Sequence, residues 1–220
     1  MKITLNISLL ILLLSTLPLM AQTTTERQYE QKGEELLQQA AQKLKSYDAL
    51  KISFTFRMIN ESQGVDEEMK GTLISQGDKY HMDAGEHVFI SDGEIVWSYM
   101  SEIDEVHINL VENTEGGLTP TSILKSFEED FRSKFIREES YQGRQVNLVD
   151  LVPTTPQAFH KYRVALDVAT DMIVYTTAFD RQGGTYTYTV EEFEANPSIA
   201  GNQFTFDVND YPGVEVIDLR

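Results

Sequence analysis

The side chains best suited to metal binding or acid–base chemistry are the four histidines and 35 carboxylates of this 220-residue chain. His81 and His87 lie in the segment HMDAGEH, where Asp83 or Glu86 could complete a metal site. This spacing matches no established set of ligands, and solvent-facing strand positions around a turn account for the segment more simply. We therefore predict no metal site and no cofactor.

The sequence also lacks the common motifs of covalent catalysis and phosphate binding. It contains no G-x-S-x-G, no glycine-rich phosphate loop before a helix and no histidine pair at helical spacing. The acidic run Asp66-Glu67-Glu68 lacks the alternating ligands of a calcium loop and indicates a solvated hairpin tip. A glycosidase pair stays open because carboxylates are numerous, but none lies in an apolar setting that would raise its pKa. We predict that the protein is not an enzyme.

Apolar side chains form the most regular pattern in the chain. They alternate along successive predicted strands and would line one concave face of a sheet. An ordinary filled core is the interpretation that composition alone favours, and a ligand cavity is the alternative. The predicted set comprises Phe54, Phe56, Met58, Leu73, Tyr80, Met82, Ile90, Trp97, Tyr99, Ile108 and Leu110.

Residues 86–100 predict a β-hairpin that holds the only tryptophan, Trp97. Apolar residues alternate on both sides of Asp92-Gly93. An Asp-Gly pair between such runs favours a type I′ turn, in which both central residues have positive φ.

Two helices interrupt this strand pattern. Residues 30–47 repeat apolar positions at intervals of three and four and predict an amphipathic helix. Pro120 can begin a short helix over 120–128 that Thr119 or Thr121 would cap. Its apolar side would consist of Ile123, Leu124 and Phe127.

With the hairpin included, the chain predicts ten or eleven strands, and the last one lies around Phe204 and Phe206. Strands and helices do not alternate, so the fold class is mainly β (α+β), with an antiparallel sheet and helices on one face. We find no repeat and no domain linker, which predicts a single domain over residues 22–220.

The N-terminal residues 1–21 predict a secretory signal peptide. A basic start precedes a short apolar run, and Ala21 supplies a small residue at the predicted cleavage site. The chain has no cysteine, so it forms no disulfide and offers no thiol for acylation. Its formal net charge of −17 argues against nucleic acid or an anionic membrane surface as the main partner.

The order of the segments resembles a known family. An N-terminal amphipathic helix precedes ISFTF, GTL, KYHM, VFISDGEIVWSYM and TPTSILKSF, and the chain closes with NQFTFDVNDYPGVEVID. This order is similar to that of the periplasmic outer-membrane lipoprotein carriers, the LolA family, over nearly the whole mature chain. The pattern S-D-G-x-x-x-W-x-Y from Ser91 to Tyr99 is the most specific part, and the closing F-x-F with residues 211–214 is weaker.

This resemblance implies an incomplete, curved antiparallel β-barrel with a helical lid over an apolar cavity. The cavity would bind the acyl chains of lipoproteins, and 120–128 would be the lid helix. Such a protein would work in the periplasm as a monomer. It would accept acylated lipoproteins from an inner-membrane ABC exporter and move them to the outer membrane, where the acceptor stays unknown.

The sequence departs from the family at one functional position. Many members carry Arg-Pro where this chain has Gln76-Gly77, and that arginine is thought to control the lid. A neutral glutamine cannot form the same charge-assisted hydrogen bonds, so Arg57 or Lys79 would have to supply the charge, or lid control differs. The adjacent cavity-wall position is Tyr80, which is still aromatic.

Two alternatives stay open beside the carrier. One is a sensor or adaptor that binds a lipid or lipoprotein on the same fold. The other is a secreted hydrolase, which a carboxylate pair deep in the cavity would favour.

Overall fold

The computed structural model describes residues 17–113 and 123–220. Within them, two α-helices accompany one sheet of twelve strands. The helices are α1 (Leu17–Lys45) and α2 (Ile123–Asp130). The strands are β1 (Leu50–Asn60), β2 (Val65–Gln76), β3 (Lys79–Ala84), β4 (His87–Ser91), β5 (Ile95–Met100), β6 (Glu105–Leu110), β7 (Phe131–Tyr141), β8 (Arg144–Pro153), β9 (Phe159–Asp167), β10 (Ile173–Asp180), β11 (Thr185–Ala195) and β12 (Glu215–Asp218).

The strand order across the sheet is β12-β6-β5-β4-β3-β2-β1-β11-β10-β9-β8-β7. All neighbours are antiparallel except β12, which pairs parallel to β6. The edge strands β7 and β12 lie at opposite ends of this order, so the sheet is not closed into a barrel. The prediction of a mainly β fold with a mostly antiparallel sheet is confirmed.

The end of the chain differs from the prediction. Phe204 and Phe206 lie outside any strand, and the last strand is β12. Both side chains are nevertheless buried. Phe206 packs against Ile90 and Val106 of the sheet, although the segment between β11 and β12 that carries it forms no strand.

Helix α1 lies against β7, where Gly33 permits a close approach. A Cβ at Gly33 would lie 2.7 Å from the backbone nitrogen of Phe135. Leu37, Ala40 and Ala41 of the helix are buried beside it. The helix begins earlier than the predicted residue 30, and Lys45 ends it two residues before the predicted end.

The hairpin of β4 and β5 is present, but its turn differs from the expected type. Gly93 has a φ of +99°, whereas Asp92 is not among the residues with positive φ. The Asp92 carboxylate instead accepts hydrogen bonds from the backbone N–H groups of Glu94 and Ile95, both at 2.9 Å. This side-chain bonding supports a three-residue loop, so the type I′ prediction is wrong.

The predicted acidic hairpin tip is also misplaced. Asp66-Glu67-Glu68 belongs to β2, and the tip is the short helix Glu61–Gln63 that precedes it. Asn60 caps this helix through its side-chain oxygen, and Gly64 closes it with a φ of +68°. These two residues allow the chain to reverse earlier than the run of charges suggested.

Some predictions concern residues that the structure does not describe. The predicted signal peptide falls within the described residues only from Leu17 onward, so the signal peptide, its cleavage and the single mature domain stay predictions. The proposed start of the short helix at 119–122 lies outside the described residues, whereas α2 follows it directly. Among the described helices, none is long and apolar enough to cross a membrane.

Candidate functional site

The strand register divides the predicted cavity residues between the two faces of the sheet. We call the face that carries α1 and α2 the inner face. Directly paired residues share a face, and Leu73 pairs with Ile52 and Met82. The inner face therefore holds six of the predicted residues: Phe54, Phe56, Met58, Leu73, Tyr80 and Met82.

The other five predicted residues lie on the opposite, outer face. Ile90 pairs with Trp97, and Trp97 pairs with Ile108. Met82 pairs with Phe89, so the neighbour Ile90 must point away from the inner face. Their assignment to the same face as Phe54 is wrong. The misplaced residues are Ile90, Trp97, Tyr99, Ile108 and Leu110.

The error has a simple physical cause. Side chains alternate between the faces along a strand, so a shift of one residue exchanges all of them. In β4 both alternating sets are apolar, with Phe89 inside and Val88 and Ile90 outside. The alternation alone cannot select one set in such a strand.

The inner face carries two apolar clusters. The covered cluster joins the helices to β8, β9 and β10, and the open cluster is built on Ile52, Phe54, Leu73, Met82 and Ala84. Val190 pairs with Phe54 and packs against both clusters, which makes them continuous. From the predicted lid helix, Leu124 and Phe127 are buried in the covered cluster. The structure describes the backbone of Ile123 but not its side chain.

Two cavities flank the C-terminal end of α1 between the helix and the inner face. The first cavity has a volume of about 550 Å³ and extends from the helix to the turn between β2 and β3. Its apolar lining consists of Ala41, Leu44, Tyr47, Ala49, Leu50 and Leu124. The second cavity has a volume of about 500 Å³ and extends to the turn between β9 and β10. Its apolar lining consists of Leu44, Tyr47, Ile52, Ala169, Met172, Ile173, Val190 and Phe193.

Gly71 of β2 allows close packing in the open cluster. A Cβ at Gly71 would collide with the ring of Phe54 and the backbone oxygen of Asp83. The absence of a side chain there lets the Phe54 ring pack closely against β2. Tyr188 then contacts the ring of Phe54 at 5.3 Å and that of Phe56 at 4.7 Å between centroids.

The tyrosine hydroxyl groups beside the open cluster are weakly solvated. Burial raises the pKa of Tyr188 to about 12 and also raises the pKa of Tyr80. The side-chain oxygens of Asn147 and Thr176 are buried without a hydrogen-bond partner. Thr176 pairs with Tyr188 in the sheet, so both lie in this apolar surface. Such a surface favours apolar ligands over charged ones.

Charged side chains lie at the borders of the cavities. Lys45, Asp48 and Asp78 line the first cavity beside Gly77, the residue after Gln76. The two cations that we considered in place of the family arginine lie elsewhere. Arg57 forms a bidentate ion pair with Asp66 at 2.8 Å.

The strand register explains the positions of these cations. Lys79 pairs with Gln76, and the adjacent pair of Ser75 and Tyr80 faces inward, so Lys79 faces outward. Arg57 alternates with the inward Phe56 and is also an outer residue. Sequence reasoning missed Lys45. This residue lies beside the turn between β2 and β3 only because the end of α1 packs near that turn.

The candidate metal ligands do not converge. His81 pairs with Ile90 on the outer face, whereas His87 pairs with Ala84 on the inner face. The two rings therefore cannot bind one ion together. No group of three or more His, Cys, Asp or Glu side chains in the described part of the chain could hold a metal.

Comparisons with known proteins agree with this architecture. The family described as outer membrane lipoprotein carrier protein LolA matches residues 45–207. No curated protein sequence matches the chain. Among solved structures, an uncharacterized conserved protein from Thermus thermophilus is 12% identical with a TM-score of 0.60, over 85% of this chain and 99% of that chain.

Two further structures are similar. A DUF1329 family protein from Desulfovibrio piger is 8% identical with a TM-score of 0.51, over 83% of this chain and 99% of that one. A LolA superfamily protein from Nitrosomonas europaea is 10% identical with a TM-score of 0.44, over 80% of this chain and 98% of that one. The structural likeness concerns the fold alone, but the sequence match covers most of the chain, which therefore belongs to the LolA family of outer membrane lipoprotein carriers.

Proposed function

We propose that this protein is a periplasmic, non-enzymatic carrier that binds the acyl chains of lipoproteins on its inner face. The observation that supports this proposal is the pair of cavities between the helices and the sheet, in which apolar residues make up more than half of each lining. Membership of the LolA family supplies the class of cargo. The six predicted inner residues line neither cavity and would form the apolar surface beside them, where Tyr80 pairs with Ser75 of the first cavity. These residues are Phe54, Phe56, Met58, Leu73, Tyr80 and Met82.

The energy of hydration explains why such a carrier is needed. Each methylene group that leaves an apolar environment for water costs about 0.8 kcal/mol, so a chain of about sixteen carbons costs on the order of 12 kcal/mol. A lipoprotein that leaves one membrane for another must therefore be shielded throughout. Apolar contacts shield the chain without directional bonds, which allows one carrier to accept many cargo proteins.

The remaining steps follow from the family. The signal peptide would direct export, an inner-membrane ABC exporter would load the monomeric carrier, and the cargo would go to the outer membrane. Helix α2 would act as part of a lid, because Leu124 and Phe127 pack in the covered cluster beside the first cavity. Moving these two residues would expose the cavity and release the chains.

The test is to purify the mature protein from the periplasm and identify co-purifying lipids by mass spectrometry. A Tyr80→Glu variant places a charge in the inner face, and Thr72→Glu is the matched control on an exposed position of the neighbouring strand. We expect acylated lipoprotein peptides with the wild type and the control, and at least about tenfold less with Tyr80→Glu.

Other outcomes would contradict the proposal. Free fatty acid or phospholipid without any lipoprotein would favour the lipid sensor. A protein that carries nothing, with both variants alike, would mean that the inner face is only a core.

A further inference from the structure

Two residues at the C-terminal end of α1 form a wall between the two cavities. Leu44 and Tyr47 are the two residues that line both cavities. The backbone N–H of Tyr47 donates a hydrogen bond to the carbonyl oxygen of Leu44 at 3.2 Å, which fixes the wall to the end of α1. The ring of Tyr47 meets the ring of Phe193 of β11 with 5.4 Å between centroids. The partition therefore extends from the helix to the sheet.

Each cavity has the size of one acyl chain. A water molecule occupies about 30 Å³ in the liquid and a methylene group is of similar size, so a chain of about sixteen carbons needs roughly 480 Å³. The volumes of about 550 and 500 Å³ each match one chain and are too small for two. Two chains would thus bind side by side, with Tyr47 and Phe193 between them.

The charged residues that line the cavities favour a ligand whose two acyl chains are joined by a neutral group. Lys43 lines the second cavity with its Nζ 5.7 Å from the Tyr47 ring centroid, and Lys45 lines the first. Each ammonium can donate to the carbonyl oxygen of an ester-linked chain. Arg144 is a third cation in the lining of the second cavity. Four carboxylates also line the cavities, namely Asp48, Asp78, Asp171 and Glu191, so the lining has a net negative charge. This excess, together with the net charge of −17, disfavours an anionic phospholipid headgroup.

From this geometry we infer that the ligand is the neutral two-chain glyceryl anchor of a lipoprotein, with one acyl chain in each cavity and the glycerol over the Leu44–Tyr47 wall. This inference rests on the proposed function and specifies its cargo. It makes Tyr47 and Phe193 the residues that select a two-chain ligand over a one-chain ligand.

The experiment compares two synthetic cysteinyl peptides by isothermal titration calorimetry with the mature protein. One peptide carries a dipalmitoyl-glyceryl group and the other a single palmitoyl chain on the same glyceryl thioether. We expect one two-chain peptide per protein, bound about 10²–10⁴-fold more tightly than the one-chain peptide, because the second chain binds within the same complex. The one-chain peptide should bind at two molecules per protein.

Variants that fill one cavity test each site separately. Ser75→Trp places a ring in the first cavity and Met172→Trp places one in the second, while Thr72→Trp is an exposed control on the outer face. Each filling variant should bind one molecule of the one-chain peptide and should lose the advantage of the two-chain peptide. Thermal unfolding verifies that the variants are folded.

The possible failures are distinct. A wild type that binds a single one-chain peptide and gains less than about threefold from the second chain would overturn this inference but leave the carrier proposal intact. A wild type that binds neither peptide would overturn both. Because these outcomes concern the unmodified protein, they do not depend on whether a tryptophan variant folds.

Discussion

Strands β4 and β5 carry apolar side chains on both faces, and different parts of the chain cover the two faces. On the outer face, Ile90, Val106 and Phe206 form a buried cluster under the segment that follows β11. The rings of Phe206 and Tyr211 from this segment stack at 4.5 Å. On the inner face, the five residues that define the open cluster are buried as well. Partly exposed rings border both clusters, namely Phe56 and Tyr80 on the inner face and Trp97 and Tyr99 on the outer face.

This difference shows that composition does not distinguish a core from a binding surface. Both clusters contain aromatic and aliphatic side chains from neighbouring strands. The segment after β11 covers the outer cluster, whereas the helices leave two cavities above the inner face. Changes in the outer cluster should therefore affect stability alone, and changes in the cavity linings should affect binding.

The largest expected effect comes from opening the outer cluster. Replacing Phe206 with Ala should lower the free energy of unfolding by about 3–5 kcal/mol, because a buried ring leaves a cavity beneath the C-terminal segment. Urea unfolding followed by the fluorescence of Trp97, which packs on this cluster, measures the change. Acyl-chain binding by the folded variant should be unchanged, and a stability loss below about 1 kcal/mol would contradict the assigned core.

The next effect is the pH dependence that Tyr188 produces. Its folded pKa of about 12 exceeds the ordinary value of 10, so the unfolded chain loses this proton first as the pH rises. Stability is therefore unaffected by this group below pH 10, falls between pH 10 and 12, and has lost about 2–3 kcal/mol at the upper end. Unfolding experiments at several pH values should show this slope in the wild type.

The Tyr188→Phe variant isolates this contribution from those of the other tyrosines. It should lack the additional loss of stability between pH 10 and 12, while differing little from the wild type at pH 7. Equal slopes for the two proteins would mean that the Tyr188 hydroxyl is better solvated than its surroundings indicate.

A smaller effect is expected where β2 lies under the ring of Phe54. Gly71→Ala should cost about 2 kcal/mol, since the new methyl group would force the ring or the backbone of β3 to move. Gly201→Ala is a suitable comparison, because no atom lies within 4 Å of a Cβ at that position and its φ is not in the left-handed region. Denaturant midpoints should separate the two variants clearly, and similar midpoints would contradict the predicted collision.

The smallest stability change is expected at the partly exposed edge of the open cluster. Phe56→Ala should lower the free energy of unfolding by only about 1–2 kcal/mol, because its ring is incompletely buried. Phe56 lines neither cavity, so the same variant should bind the two-chain peptide as tightly as the wild type. A loss of stability as large as that of Phe206→Ala would contradict the partial burial of the Phe56 ring.

Much of the fold could be predicted from local patterns. The intervals of three and four in α1 and the alternation in β1 and β2 have one apolar set each, so a single arrangement buries them. Leu73 and Met82 therefore lie on the same face as Phe54, as the alternation predicts. Ile90 and Trp97 do not, because β4 offers two apolar sets and the choice depends on the register of pairing with β3.

The sequence by itself determined the fold class and the family, because both depend on the order of the helix, strands and turns along the chain. Only the tertiary structure decided which apolar face the C-terminal segment covers and which one forms the two cavities. That result depends on residues far apart in the chain, since Phe206 covers Ile90, and Tyr47 meets Phe193. The position of Lys45 also depends on packing, because the end of α1 brings this cation to the turn after Gln76.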